Sequence, residues 1–159
     1  MSDLPGDRMP GDRMPGDPVP GELAPDGGEP GDVTARRRVA SGSPFEATIG
    51  FSRAVRVGDR VVVSGTGPVW PDGSCDPDAA TQARRCFAIV SAALAEAGAG
   101  IDDVVRTRMY VTDVAWADAV GAVHGEVLGR VRPAATMVVV AGLLDPRWKV
   151  EIEAEAQLP

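Results

Sequence analysis

The stretch Lys149-Val150-Glu151-Ile152-Glu153-Ala154-Glu155-Ala156 alternates apolar and acidic residues without a break, the period of a strand with one buried and one polar face. Val150, Ile152, Ala154 and Ala156 therefore need a cover, and the sequence upstream supplies helices for it. Asp113 can cap a helical run in which Trp116, Val120, Val123 and Val127 share one stripe until Gly129 ends it. Asp78 opens a longer run, with Ala83, Phe87, Val90, Leu94 and Ala97 at helical spacing before Gly98. Between them, Val105, Thr107, Met109 and Val111 alternate with Arg106, Arg108 and Tyr110 as in a one-sided strand. Further upstream, Phe51–Val57 and Arg60–Gly65 are β-rich runs joined by Gly58-Asp59, the pattern of a hairpin. The segment Thr136–Leu144 is different, because Val138-Val139-Val140 does not alternate and so reads as a strand buried on both faces. The expected order is β-β-α-β-α-β-β, an α+β domain with two helices packed on one face of a mixed sheet. The other face, and the apolar strand 136–144, are left for another subunit to cover.

That domain begins near Phe45, the first aromatic residue of the 159-residue chain. Residues 1–44 hold 8 of the 14 prolines and 8 of the 19 glycines, and a segment so poor in apolar periodicity cannot offset the entropy of its own ordering. It is expected to be a disordered Pro/Gly-rich tail, with 45–159 as the folded unit. Pro5-Gly-Asp-Arg-Met9 recurs as Pro10-Gly-Asp-Arg-Met14, a period too short for a solenoid. Arg36-Arg37-Arg38 reads as a solvated linker rather than a nucleic-acid contact, since the whole chain carries a formal charge of −7. That charge argues against nucleic-acid and anionic-membrane partners. Two cysteines, Cys75 and Cys86, do not make a disulfide framework, and with no apolar leader or membrane-length stretch the expected location is the cytoplasm. So small a domain gains from subunit contacts.

Several motifs occur in order across residues 50–157. Phe51-Ser-Arg-Ala-Val55 with Val62-Val-Ser-Gly-Thr-Gly-Pro68, Asp102-Asp-Val-Val-Arg-Thr107, Val111-Thr-Asp113, Arg132-Pro-Ala134 and Val150-Glu-Ile-Glu-Ala154 resemble the Rid family, the reactive intermediate deaminases also called YjgF proteins. The resemblance implies a chorismate-mutase-like α+β fold and a homotrimer with small-molecule clefts between subunits. It implies no cofactor. Active Rid deaminases hydrolyse 2-imino acids to 2-oxo acids and ammonia. In them an arginine of a Pro-Ala-Arg-Ser motif grips the substrate carboxylate, and a carboxylate of the last strand positions water. Glu151 matches the second group, which makes it the expected catalytic residue.

The first group is missing. The motif reads Arg132-Pro133-Ala134-Ala135-Thr136, with Ala135 where the arginine should stand. A charge-assisted hydrogen bond is worth roughly 1.5–3 kcal/mol, so the loss weakens imino-acid binding by about tenfold to a few hundredfold. A carboxylate left alone in the cleft turns the expected substrate toward neutral or cationic molecules. Phe51 lacks the hydroxyl of the family's usual tyrosine, and His124 stands where helix two often has one. The substrate-binding positions implied are Phe51, Ser64, Ala135, Thr136 and His124, with Ser64 and Thr136 as hydroxyl donors.

Each has a plainer reading. Glu151 alternates with Glu153 and Glu155 on what could be a solvated face. His124 reads as a packed or hydrogen-bonded residue ahead of a proton shuttle, and with Glu126 only two residues away it offers no metal-ligand spacing, so no metal is expected. Gly65-Thr66-Gly67-Pro68 is too short for a phosphate loop and reads as a turn that lets backbone approach the cleft. Arg53, Arg108, Arg132 and Arg147 are the possible substitutes for the missing arginine, with Arg132 first in line. Cys75 and Cys86 read as structural. The functions these residues allow are a Rid-type hydrolase of imines, enamines or related C–N bonds, a non-catalytic metabolite-binding trimer, and, least supported for an acidic chain with one histidine, a ribonuclease.

Overall fold

Gly58 decides the first turn of the sheet. It adopts φ 59°, and Val57 pairs with Arg60 across a two-residue loop, so the hairpin turns where a left-handed residue is needed. In the computed structural model, which describes residues 35–159, this hairpin joins β2 (Ala54–Val57) to β3 (Arg60–Thr66). The chain continues through α2 (Ala79–Glu96), β4 (Val104–Val111), α3 (Ala117–Leu128), β5 (Ala134–Val139) and β6 (Val150–Gln157). These are the expected elements in the expected order. Two more precede them, the edge strand β1 (Arg36–Val39) and the short helix α1 (Phe45–Ile49). Arg36–Val39 is thus ordered structure and not tail, because Arg36–Val39 completes an antiparallel ladder on β2, with Val39 buried and Arg37 donating from Nη2 to the Glu96 carbonyl at 2.6 Å. The pentapeptide repeat and the rest of residues 1–34 lie outside the described residues.

The six strands form one mixed sheet in the order β1-β2-β3-β6-β4-β5. β4 and β5 are parallel and the other pairs antiparallel. α2 and α3 lie on one face. The Asp78 carboxylate accepts from Thr81 N–H at 2.8 Å to cap α2. At the other end Gly98 takes φ 80° while Gly98 and Ala99 donate to the Ala95 and Leu94 carbonyls, a Schellman closure. The stripe Ala83, Phe87, Val90, Leu94 and Ala97 is buried against Val61, Val63, Val150, Ile152, Ala154 and Ala156, so the alternation of β6 marks the core as its period implied. Asp113 caps a 3-10 turn, Val114–Trp116, that leads into α3.

Two strands depart from their sequence pattern. Val104 pairs with Ala156 but Arg106 with Glu155, so Val105 is the extra residue of a β-bulge and lies exposed instead of in the core. Among the described residues β5 is an edge strand paired with β4 alone, and they do not supply its expected burial on both faces: Val138 and Val139 are 43% and 56% exposed.

Candidate functional site

The polar face of β6 carries three carboxylates, and their surroundings separate them. Glu153 accepts from the Tyr110 hydroxyl at 2.6 Å and from Arg108 Nη1 at 3.0 Å. Glu155 accepts from Arg60 at 2.7 Å and from Arg108 at 3.2 Å. Glu151 is half-buried and forms no hydrogen bond or ion pair among the described residues. Burial first, and the charge of Glu153 second, push its carboxyl above the ordinary glutamate range, with Arg53 pulling the other way. So two members of the acidic row are neutralised by partners, and the third is held in an unpaired, partly desolvated position.

A bulge in the neighbouring strand creates that position. Val63 pairs with Ala154 and Thr66 with Ile152, leaving Ser64 and Gly65 opposite one residue of β6. The Glu151 carboxylate comes against the α-carbon of Gly65, into the space a β-carbon would fill. Two residues on, Gly67 admits Trp148 in the same way, with ring atoms 2.5 to 2.7 Å from where its β-carbon would be. The glycines of this loop admit side chains rather than a turn's backbone.

Arg53 also reaches Gly65. Its Nη2 donates to the Gly65 carbonyl at 2.8 Å, while Nε is buried without an acceptor among the described residues. Desolvation lowers the guanidinium from its usual range, against the opposing charges of Glu46 and Glu151. The ladder is pinned here, since Ser64 N–H donates to the Arg53 carbonyl and the Ser64 hydroxyl to the Ser52 carbonyl at 2.7 Å. Ser64 thus spends its proton on the backbone. Phe51, half-buried, leads into this corner from α1, with its N–H on the Glu46 carbonyl.

The remaining predicted residues lie elsewhere. Ala135 stands opposite Thr107, on the helix-covered face, whereas Thr136 stands opposite Arg108, on the polar face. Glu151 pairs with Tyr110, three rungs further along β4. Ala135 and Glu151 are therefore on opposite faces of the sheet, with β4 between their strands, and one chain does not bring them together. His124 is engaged on the helix side, its Nε2 at 2.9 Å from Thr107 Oγ1 and its ring edge-on to Phe87 at 5.9 Å. Burial lowers its pKa. Cys86 is buried, which pushes its thiol up, and Cys75 is raised for the same reason.

Of the four candidate arginines, Arg108 is held by Glu153 and Glu155 and Arg147 by Asp145. Arg132 is exposed at φ 49° before β5, six residues ahead of Val138, and Val138 faces Tyr110, the pairing partner of Glu151. That is about 20 Å along the strand. Arg53, ranked behind it on sequence, is the arginine beside Glu151. No pattern in the sequence singles it out, because the bulge that unites the two is formed between strands distant in the chain.

A cavity of about 510 Å³ opens at the start of β6, lined by Cys75, Asp113, Trp116, Trp148 and Lys149 among others. The Lys149 ammonium sits 3.9 Å over the Trp116 ring. Of the candidate arginines Arg147 lines it, and none of Glu151, Phe51, Ser64, Ala135, Thr136 and His124 does.

The family model described as Endoribonuclease L-PSP matches residues 42–158. An uncharacterized protein of Streptomyces coelicolor is 45% identical over 125 residues, covering 77% of this chain and 92% of that protein. Among solved structures, a Mycobacterium tuberculosis member of the YjgF/YER057c/UK114 family is 45% identical with a TM-score of 0.72, covering 78% of this chain and all of that one. A Rid-family protein of unknown function from Yersinia pestis matches at 25% identity and a TM-score of 0.68, over 78% of this chain and 100% of its own.

Proposed function

The chain belongs to the endoribonuclease L-PSP family, which takes in the YjgF and Rid proteins, and from that premise we propose that it is a hydrolase of small imines or enamines with Glu151 directing the water. The observation that carries this is the state of Glu151: half-buried, unpaired among the described residues, and set against Gly65, while ion pairs hold Glu153 and Glu155. A carboxylate with a raised pKa is a better base than an exposed one and has no protein donor to compete with a water. In the reaction it takes a proton from water as the oxygen bonds to the imine carbon and the C=N pair moves to nitrogen. Nitrogen takes that proton to give the carbinolamine, which collapses as its hydroxyl proton passes by way of Glu151 to nitrogen, the C–N bond breaks, ammonia leaves and a carbonyl remains.

The exposed edge strand β5 supports a trimer, in which neighbouring copies cover Val138 and Val139 and bring Ala135 of one copy toward Glu151 of the next. Imines generated in situ by an amino-acid oxidase test the activity: accelerated ammonia release, abolished in Glu151→Gln, supports it, and no acceleration across a broad imine panel sinks it.

Ala135 and the aromatic-walled cavity apart from Glu151 favour a second reading, a non-catalytic metabolite-binding trimer. It expects ligand-dependent rises in melting temperature without turnover. Ribonuclease action has less support, since the lone histidine is occupied by Thr107 and Phe87.

A further inference from the structure

Arg53 and Glu151 both reach Gly65 without satisfying one another. Among the described residues the guanidinium uses one donor, on Nη2, for the Gly65 carbonyl, and its Nε is buried with no acceptor. The carboxylate has no donor among the described residues. Neither Glu46 nor Glu151 forms an ion pair with Arg53, although both act on it through space. Glu46 is engaged by the N–H and hydroxyl of Ser41, both at 2.7 Å. A partly desolvated cation with donors to spare, beside a partly desolvated base, is an arrangement that folding alone does not reward, because each unmet group costs stability.

We propose that Arg53 is a substrate-binding residue that recognises the carboxylate of a small imino or oxo acid, so that the anion recognition lost at position 135 is supplied from the start of β2. The proposal rests on the Glu151 reading for the reaction but on Arg53 alone for the charge preference. It reverses the expectation of a neutral or cationic substrate, which followed from the absence of an arginine at position 135. A guanidinium can hold a carboxylate by two parallel hydrogen bonds, and Gly65 fixes its distance from the Glu151 side of the bulge. The carboxylate of the acid would sit on Arg53 while the adjacent C=N or C=O carbon faces Glu151.

Binding and turnover are measured separately. Isothermal titration compares 2-oxobutanoate with its neutral amide, 2-oxobutanamide, on wild type, Arg53→Lys and Arg53→Gln, with melting temperature recorded for each. Arg53→Gln should weaken the acid by about tenfold or more and leave the amide unchanged, with Arg53→Lys in between. Where the imines are turned over, the same change should raise KM for the imino acid more than it lowers kcat. Equal affinity of wild type for acid and amide, or a loss of acid binding that is the same for both ligands, overturns the proposal. If wild type shows the Arg53-dependent acid preference yet hydrolyses no imine, the anion site stands and the hydrolase reading falls.

Discussion

The Glu151 carboxylate rests against the α-carbon of Gly65, in the space that any side chain at position 65 would take. The atom in the way is the far end of a flexible side chain, so the site can yield without disturbing the core. Gly65→Ala should therefore cost less than about 1 kcal/mol of stability while turning the carboxylate away and lowering imine hydrolysis by about tenfold or more. Calorimetry together with steady-state kinetics checks the split.

Gly67→Ala should behave in the opposite sense. Its obstacle is the Trp148 ring, with three atoms within 2.7 Å of the added carbon, and an indole at a loop junction cannot swing clear as a carboxylate can. The expected loss is about 1–3 kcal/mol, seen as a lower denaturation midpoint with an unchanged m-value.

The protonation of Glu151 makes stability depend on pH. Its folded-state pKa is raised above the unfolded value, so the native state holds its proton more tightly. The associated stability is present below the unfolded pKa and is lost as pH rises through the folded one. Glu151→Gln removes that loss, and the variant should melt above wild type at pH 7, with the gap closing toward pH 4. The group is only half-buried, so screening keeps the effect small. Hydrolysis should show the complementary profile, an acid limb displaced above the ordinary glutamate range as the base ionises. Melting curves across pH 4–8, set beside the rate profile, test both signs.

Gln82 is the buried amide that ties two loops to α2. Its Nε2 donates to the Asp76 and Arg147 carbonyls at 2.7 and 3.0 Å, and its Oε1 accepts from Lys149 N–H at 2.7 Å. Gln82→Leu would strand three backbone groups next to the start of β6, at a cost of about 2–4 kcal/mol. Hydrogen exchange at Lys149 should accelerate with it.

Ala135 is exposed on the edge strand, so Ala135→Arg should fold with a stability change within about 0.5 kcal/mol. If neighbouring copies place it in the cleft, it should also lower KM for imino acids and rescue Arg53→Gln for those substrates. Rescue without a trimer by light scattering would contradict the intersubunit cleft.

Wherever burial follows from local period, the sequence was sufficient. The helices α2 and α3, the hairpin at Gly58, and the buried row Val150, Ile152, Ala154 and Ala156 could all be read from spacing and cap residues, because each depends on neighbours within a few positions. The same rule misplaced Val105, since alternation cannot reveal that a partner strand skips a residue. It misjudged Val138 and Val139, whose apolar run speaks of a cover that one chain does not contain. It also assigned Arg36–Val39 to the tail, although that segment's order comes from the ladder on β2.

By itself the sequence determined the family, the order of elements and the identity of Glu151 as the carboxylate to watch. The motif match that singled out Glu151 gave no physical difference between it and Glu153 or Glu155, and nothing set Arg53 apart from the three other arginines considered. Only the tertiary structure decided these, because what distinguishes them is which cations reach which carboxylates. That depends on the register of β3, β4 and β6 and on a single bulge at Ser64–Gly65. Register is a relation between strands far apart in the chain, fixed by the sum of their side-chain packing, and no local pattern encodes it.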